Sequence, residues 1–188
     1  MTPSVATCVL IVAVLVALLH QRPERHVERH PNRRYGSFTE FWPHYVAEHS
    51  LPLTKLLHAA GTSAVTVVAP LRLHGPSTFV RLNLGIAAGM SLALLIAPDA
   101  TAQFSNGAAE ALIMATSVVG CAVAFSGLSV KSVLCLLAVG YVMPWVAHFF
   151  VERNRPATFL HPTFSLVGDF RLMAEMVTLQ LDLNASST

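Results

Sequence analysis

The chain has 188 residues, 54% of them hydrophobic and only 12% charged, with a formal net charge of +2 and a mean hydropathy of +0.58. Soluble domains carry roughly twice that charged fraction, so an ordinary water-soluble domain is excluded. The cysteines, Cys8, Cys121 and Cys135, are odd in number and lie inside apolar runs, which excludes a disulfide framework and a zinc-binding spacing.

Residues 5–19 contain no charge. No positive segment precedes them and no small-residue cleavage site follows, so residues 1–20 read as an N-terminal signal anchor rather than a cleaved signal peptide. A basic linker follows at 21–36, with Arg22, Arg25, Arg29, Arg33 and Arg34 beside His26 and His30. Few aromatic residues interleave these charges, which argues against nucleic acid; a solvated segment near anionic headgroups is the reading they support. Ser37-Phe38-Thr39-Glu40 forms a capping box. The stripe of Phe38, Phe41, Trp42, Tyr45 and Val46 suits a helix lying in the headgroup layer.

Four apolar spans come next, at about 56–71, 82–98, 108–130 and 132–151. A helix needs roughly 17–25 apolar residues to cross the hydrocarbon core; the last two meet this outright, and the first two do so with their ends in the interface. None of the longer spans shows the polar face of a soluble core helix. Pro144 predicts a kink in the last span. Residues 163–179, with Phe164, Val167, Phe170, Met173 and Val177, read as a second interfacial amphipathic helix, and 181–188 as a flexible tail. The predicted fold is all-α: a polytopic membrane helix bundle at 37–180 with four core transmembrane helices, an N-terminal anchor helix and interfacial amphipathic helices.

An even number of core spans returns the chain to the side on which it entered. That side carries Arg22, Arg25, Arg29, Arg33, Arg34, Lys55, Arg153, Arg155 and Arg171, against Arg72, Arg81 and Lys131 on the other. The positive-inside rule places the first set in the cytoplasm. The sequon Asn184-Ala185-Ser186 then faces the cytoplasm and stays unglycosylated.

The histidines are the residues with chemistry to offer. His20, His26 and His30 belong to the anchor end and linker, and His74 to the opposite side, leaving His44, His49, His58, His148 and His161. His49 precedes the first core span, His58 lies near its start and His148 near the end of the last. The topology therefore brings all three to one membrane boundary. Ionisable side chains at that depth face a bundle interior or a wet cavity, and imidazoles arriving there from separate segments suggest iron, copper, zinc or nickel. Glu152, four residues after His148, shares its face if the helix continues, as a further ligand or the acceptor for one. Tyr45, four residues before His49, is placed to hydrogen-bond to it.

The segments Tyr45-Val46-Ala47-Glu48-His49, His58 nine residues on, and His148-Phe149-Phe150-Val151-Glu152 before Arg155-Pro156-Ala157 resemble the signature of a membrane family of 2-hydroxy fatty acid dioxygenases, over about residues 37–178. Ser165-Leu166 and Asp169-Phe170 fit the same pattern. The resemblance implies an iron(II)-dependent enzyme of the endoplasmic reticulum that shortens 2-hydroxy fatty acids by one carbon, using O2, in phytosphingosine breakdown. It assigns the metal to His49, His58 and His148 and a catalytic place to Glu152. Fungal members carry a second histidine where this chain has Ser50 and an asparagine near Thr54; His44 is the replacement this sequence offers.

The expected activity is α-oxidation of a 2-hydroxy long-chain fatty acid at an Fe(2+) centre. The acyl tail lies between the spans, Tyr45, Arg153 and Arg155 act toward substrate, and the product is an acid or aldehyde one carbon shorter. The competing reading is a small non-enzymatic membrane scaffold without metal, which Ser50 favours. A di-iron hydroxylase is rejected because its repeated histidine boxes are missing; the only His-x-x-x-His spacing is His26 to His30 in the linker. Oligomeric state leaves no signature.

Overall fold

The computed structural model describes residues 27–178. The anchor at 1–20, the first part of the basic linker, the tail at 181–188 and the sequon at Asn184 lie outside the described residues. Those described form helices α1 (Phe38–Ala47), α2 (Pro52–Ser63), α3 (Pro76–Ala100), α4 (Ala108–Ser126), α5 (Val130–Val146) and α6 (Pro162–Val177). No strand occurs among them.

Four rods are long and apolar enough to cross a membrane: Pro52–His74, Pro76–Ala100, Ala108–Ser126 and Val130–Glu152. The expected number is met, and the fold is a polytopic membrane helix bundle. The first two rods run further than their uncharged blocks because polar residues at the ends are carried on the helix. Lys55 is buried within the first turn of α2, and Arg81 lies on the exposed side of α3. Local signals set the boundaries. Ser37 accepts the Glu40 N–H at 3.2 Å as the expected cap, while the Glu40 carboxylate reaches one residue further back, to the Gly36 N–H at 3.0 Å, in place of the Ser37 N–H of a capping box. Pro52, Pro76 and Pro162 open α2, α3 and α6, where a missing N–H costs nothing. Gly75 and Gly127 turn the chain at φ 82 and φ 74, a region that favours glycine.

Close backbone contact holds the bundle. Gly85 and Gly89 of α3 face α4, where an added Cβ would stand 2.6 Å from the Cys121 carbonyl oxygen and 2.5 Å from Val118 Cα respectively. This Gly-x-x-x-Gly spacing is the small-residue contact by which membrane helices approach. On the far side, a Cβ on Gly61 of α2 would meet the Gly140 carbonyl oxygen of α5 at 2.5 Å. Gly61 lies one turn beyond His58, so this approach brings α2 and α5 together beneath the candidate site.

Two rods leave α geometry. After Ser63 the first rod widens into π turns at Ala64–Val68 and Pro70–His74. The Thr66 carbonyl there accepts the Asn83 amide at 2.8 Å, which satisfies a polar group buried in the bundle. The fourth rod ends in a π turn, Ala147–Glu152, that carries His148.

Helix α6 differs from its expected place. It enters the bundle instead of lying on it: Phe164 and Leu172 join a layer with Phe41 and Tyr45, while Leu166, Val167 and Phe170 pack on the core between the spans. Its apolar residues occupy two faces, and two apolar faces are buried only between two neighbours.

The basic linker also departs from a solvated segment. Arg33 is fully buried; its Nε donates to the Leu160 carbonyl at 2.7 Å, Nη1 to the Thr101 carbonyl at 2.9 Å, and Nη2 pairs with Glu110. Arg29 Nη1 adds a bond to Glu110 at 2.7 Å, and the Thr163 hydroxyl and N–H close on the other carboxylate oxygen. Glu110 sits at the start of α4 with no exposure, and a buried carboxylate requires such partners. This knot ties the segment before α1 to the α3–α4 loop and to the start of α6, all on the rim that bears the histidines.

Candidate metal centre

Each candidate histidine arrives on a different element. His49 follows the cap of α1, His58 lies on the second turn of α2, and His148 on the π turn ending the fourth rod. All three are buried, and one ligand nitrogen from each lies within 4.8 Å of the others. The ring centroids are 4.3, 4.8 and 5.0 Å apart and the planes nearly perpendicular.

The other nitrogen of each ring is engaged. His49 Nδ1–H donates to the Tyr45 carbonyl at 2.5 Å, His58 Nδ1–H to Asp169 Oδ1 at 2.6 Å, and His148 Nδ1–H to Asn154 Oδ1 at 2.7 Å. The acceptors assign the tautomer: a backbone carbonyl, a carboxylate, and an amide whose Nδ2 is itself committed to the Glu48 carbonyl at 2.9 Å. In the neutral rings every Nε2 then presents a lone pair, and the His49 and His58 Nε2 atoms stand 3.2 Å apart. Two lone pairs that close repel unless a proton or a metal cation lies between them. Ligating histidines in metal sites characteristically donate their second N–H to an outer oxygen in this way, and the donor set fits a metal favoured by imidazole.

Surrounding groups set the electrostatics. Burial, then the neighbouring His58, holds the His49 imidazole well below the usual histidine range, so it is neutral and ready to ligate. Tyr45 stacks on His49 at 4.0 Å and donates its hydroxyl to Asp169 Oδ1 at 2.5 Å. Burial and that carboxylate push the phenol well above its usual range, so it stays a donor. Gly168 lets Tyr45 lie against α6, where a Cβ would stand 2.7 Å from the ring.

The remaining sequence candidates lie around this triad. Glu152 is outside the histidine group: its Oε2 accepts the Ser50 hydroxyl at 3.0 Å and its Oε1 the Leu51 N–H at 2.8 Å. Glu152 ends the π turn that carries His148, and its carboxylate is taken up by the loop after His49 instead of the histidine group. Ser50 faces Glu152 rather than the triad. His44 stacks on Tyr35 at 5.1 Å in the aromatic layer and is no part of the histidine group. Arg153 is exposed at φ 57, and Arg155 is exposed with its guanidinium 5.0 Å from the Phe159 ring. Two residues that sequence reasoning gave no role at the site, Asp169 and Asn154, hold the rings. The signal for Asp169 was a carboxylate in an otherwise apolar stripe; Asn154 left none.

A space of about 10 Å3 lies against the triad, bordered by Tyr141, Ser165 and Asp169, enough for one water-sized molecule. Fold and site together define a class: a helical membrane protein, with four spans among the described residues and a buried three-histidine centre, able to hold a metal ion, at one rim. The chain belongs to the 2-hydroxy-palmitic acid dioxygenase Mpo1-like family, whose sequence profile matches residues 35–181. That stretch contains α1 to α6 and the whole triad with its acceptors. No curated protein and no solved structure matches the chain.

Proposed function

We propose that this protein is an iron(II)-dependent dioxygenase that shortens 2-hydroxy long-chain fatty acids by one carbon, in sphingoid-base and fatty acid breakdown, at the cytoplasmic rim of the endoplasmic reticulum membrane. The observation that carries the reading is the set of Nδ1–H bonds to Tyr45, Asp169 and Asn154, which aims three Nε2 lone pairs at one point. His49, His58 and His148 would hold the metal. When bound, iron(II) supplies redox access to O2 and positions for the 2-hydroxyl and carboxylate of the substrate. One O2 balances the conversion of R–CH(OH)–COOH to R–COOH, CO2 and water.

The chain's own residues do the rest. Asp169 fixes the His58 ring and, through the Tyr45 hydroxyl, the platform on which His49 stacks. Glu152 ties down the loop after His49 through Ser50 and Leu51. Ser165 Oγ is buried, has no hydrogen-bond partner among the described residues and borders the small space, so it is free to meet a substrate oxygen. Arg153 and Arg155, exposed at the rim, attract the carboxylate through their field. Cytoplasmic placement is supported by the cationic excess on that rim.

The test is metal analysis of detergent-purified protein under reducing conditions, beside His58→Ala and His148→Ala, followed by oxygen uptake with 2-hydroxypalmitate against palmitate. Stoichiometric iron lost in both variants, with uptake specific to the hydroxylated acid, is the expected outcome. Wild-type protein that holds no iron, or consumes O2 equally with both acids, overturns the reading.

A further inference from the structure

A second cavity, of about 100 Å3, opens beneath the triad between α2, α4, α5 and α6. It shares Tyr141, Pro144 and Asp169 with the space at the histidines, so the two adjoin across those side chains. The rest of its wall is mostly apolar, from Val65, Met114, Val118, Leu137, Leu166 and Phe170, and the Thr66 hydroxyl beside it is spent on the Thr62 carbonyl. It follows the first rod from Gly61, one turn past His58, to Thr66 in the π turn, so it runs inward toward the membrane centre. It is open on one side, where Ala115 of α4 is exposed and Leu137 and Gly140 of α5 are partly exposed.

We infer that this cavity binds the alkyl chain of the acyl substrate next to its head group, and that the rest of the tail leaves through the Ala115–Leu137 opening into the surrounding lipid. The inference rests on the proposed function for the identity of the head group. Three observations select a chain over another occupant. The lining offers almost nothing to hydrogen-bond, so water gains little there. The cavity adjoins a small space at the histidines across Tyr141, Pro144 and Asp169, which matches a molecule with one polar end. Its other opening faces lipid, where such molecules are dissolved. Size then sets what is recognised. A cavity of roughly 150 Å3 encloses the six carbons of benzene, so about 100 Å3 encloses roughly four methylenes. The protein therefore reads the first few carbons after the hydroxyl-bearing one and leaves total chain length nearly unmeasured.

Binding of radiolabelled 2-hydroxypalmitate and 2-hydroxybutyrate to the purified full-length protein, with and without added iron(II), tests this, with metal content measured alongside. Ala115→Trp and, from the opposite wall, Leu137→Trp are expected to keep wild-type iron content and to lower the long-to-short affinity ratio at least tenfold. Across saturated 2-hydroxy acids, wild-type affinity should climb over about the first four methylenes and then level off. An unchanged ratio in both variants overturns the inference. So does continued growth of affinity to full chain length, or a co-purifying phospholipid that both variants displace without loss of 2-hydroxypalmitate binding. Wild-type protein that binds the long acid yet holds no iron under reducing conditions, beside variants that do not bind the long acid, supports the cavity assignment while removing the iron-dioxygenase reading.

Discussion

At the scale of single residues, the site is organised by what the Nδ1 atoms do. An imidazole turned the other way, with Nε2 protonated, would ligate nothing at this point; the oxygens of Tyr45, Asp169 and Asn154 prevent that. Asp169→Asn retains the shape and removes the anionic acceptor shared by His58 and Tyr45. Its expected effect is roughly a 10–100-fold loss of metal affinity, read by competition with a chelator, with little change in the melting temperature of the metal-free protein. His161 supplies a different residue-scale test. Burial, followed by Arg29 and Arg33, lowers its pKa to about 3, against about 6.5 in the unfolded chain. Between those values the unfolded state binds the extra proton, so stability is present above about pH 6.5 and is lost as pH falls toward 3, by up to about 1.4 kcal/mol per pH unit. Melting curves of wild type and His161→Phe across pH 7 to 4 should show the wild type losing stability more steeply; parallel curves contradict the assignment.

At the scale of elements, two kinds of contact place the helices. Glycine pairs decide how near the rods come, and the Glu110 knot decides how the rim segments are tied over them. Gly89→Val puts carbon where the Val118 backbone already lies, so α3 and α4 must separate; the expected result is a clear drop in melting temperature in detergent. The corresponding change at Gly120 of α4, which faces open space, should leave it nearly unmoved. Glu110→Ala leaves Arg29 and Arg33 buried without their carboxylate, a change that costs about 3–5 kcal/mol. Denaturation midpoints measure it, and a loss below about 1 kcal/mol would mean that the arginines find water instead. Neither contact touches the triad, so both variants separate bundle stability from metal affinity.

For the whole molecule, an even number of crossings is what lets the end of α1, the start of the first rod and the end of the fourth meet on one rim. Cysteines introduced at Ser105 and Lys131 fall at opposite ends of the rods. An impermeant maleimide added to sealed, cytoplasm-out microsomes should label the first and not the second; the reverse pattern inverts the orientation. A ligand bound only by the folded chain also stabilises it, by about 2.7 kcal/mol at one hundred times its Kd, so chelation should lower the melting temperature reversibly.

The sequence by itself determined the class of fold, because span length and absence of charge are local properties that the bilayer reads residue by residue. It also determined which histidines share a rim, because parity of crossings is countable. Tertiary structure alone decided the acceptors. Asp169 reaches His58 across 111 positions, and nothing local to either residue encodes that. It also decided that Glu152 turns to Ser50 and Leu51, partners about a hundred positions away that the i+4 spacing to His148 does not reveal. Finally, it drew Arg29 and Arg33 out of solvent, because a basic linker looks the same on the page whether or not a buried carboxylate waits 77 residues away.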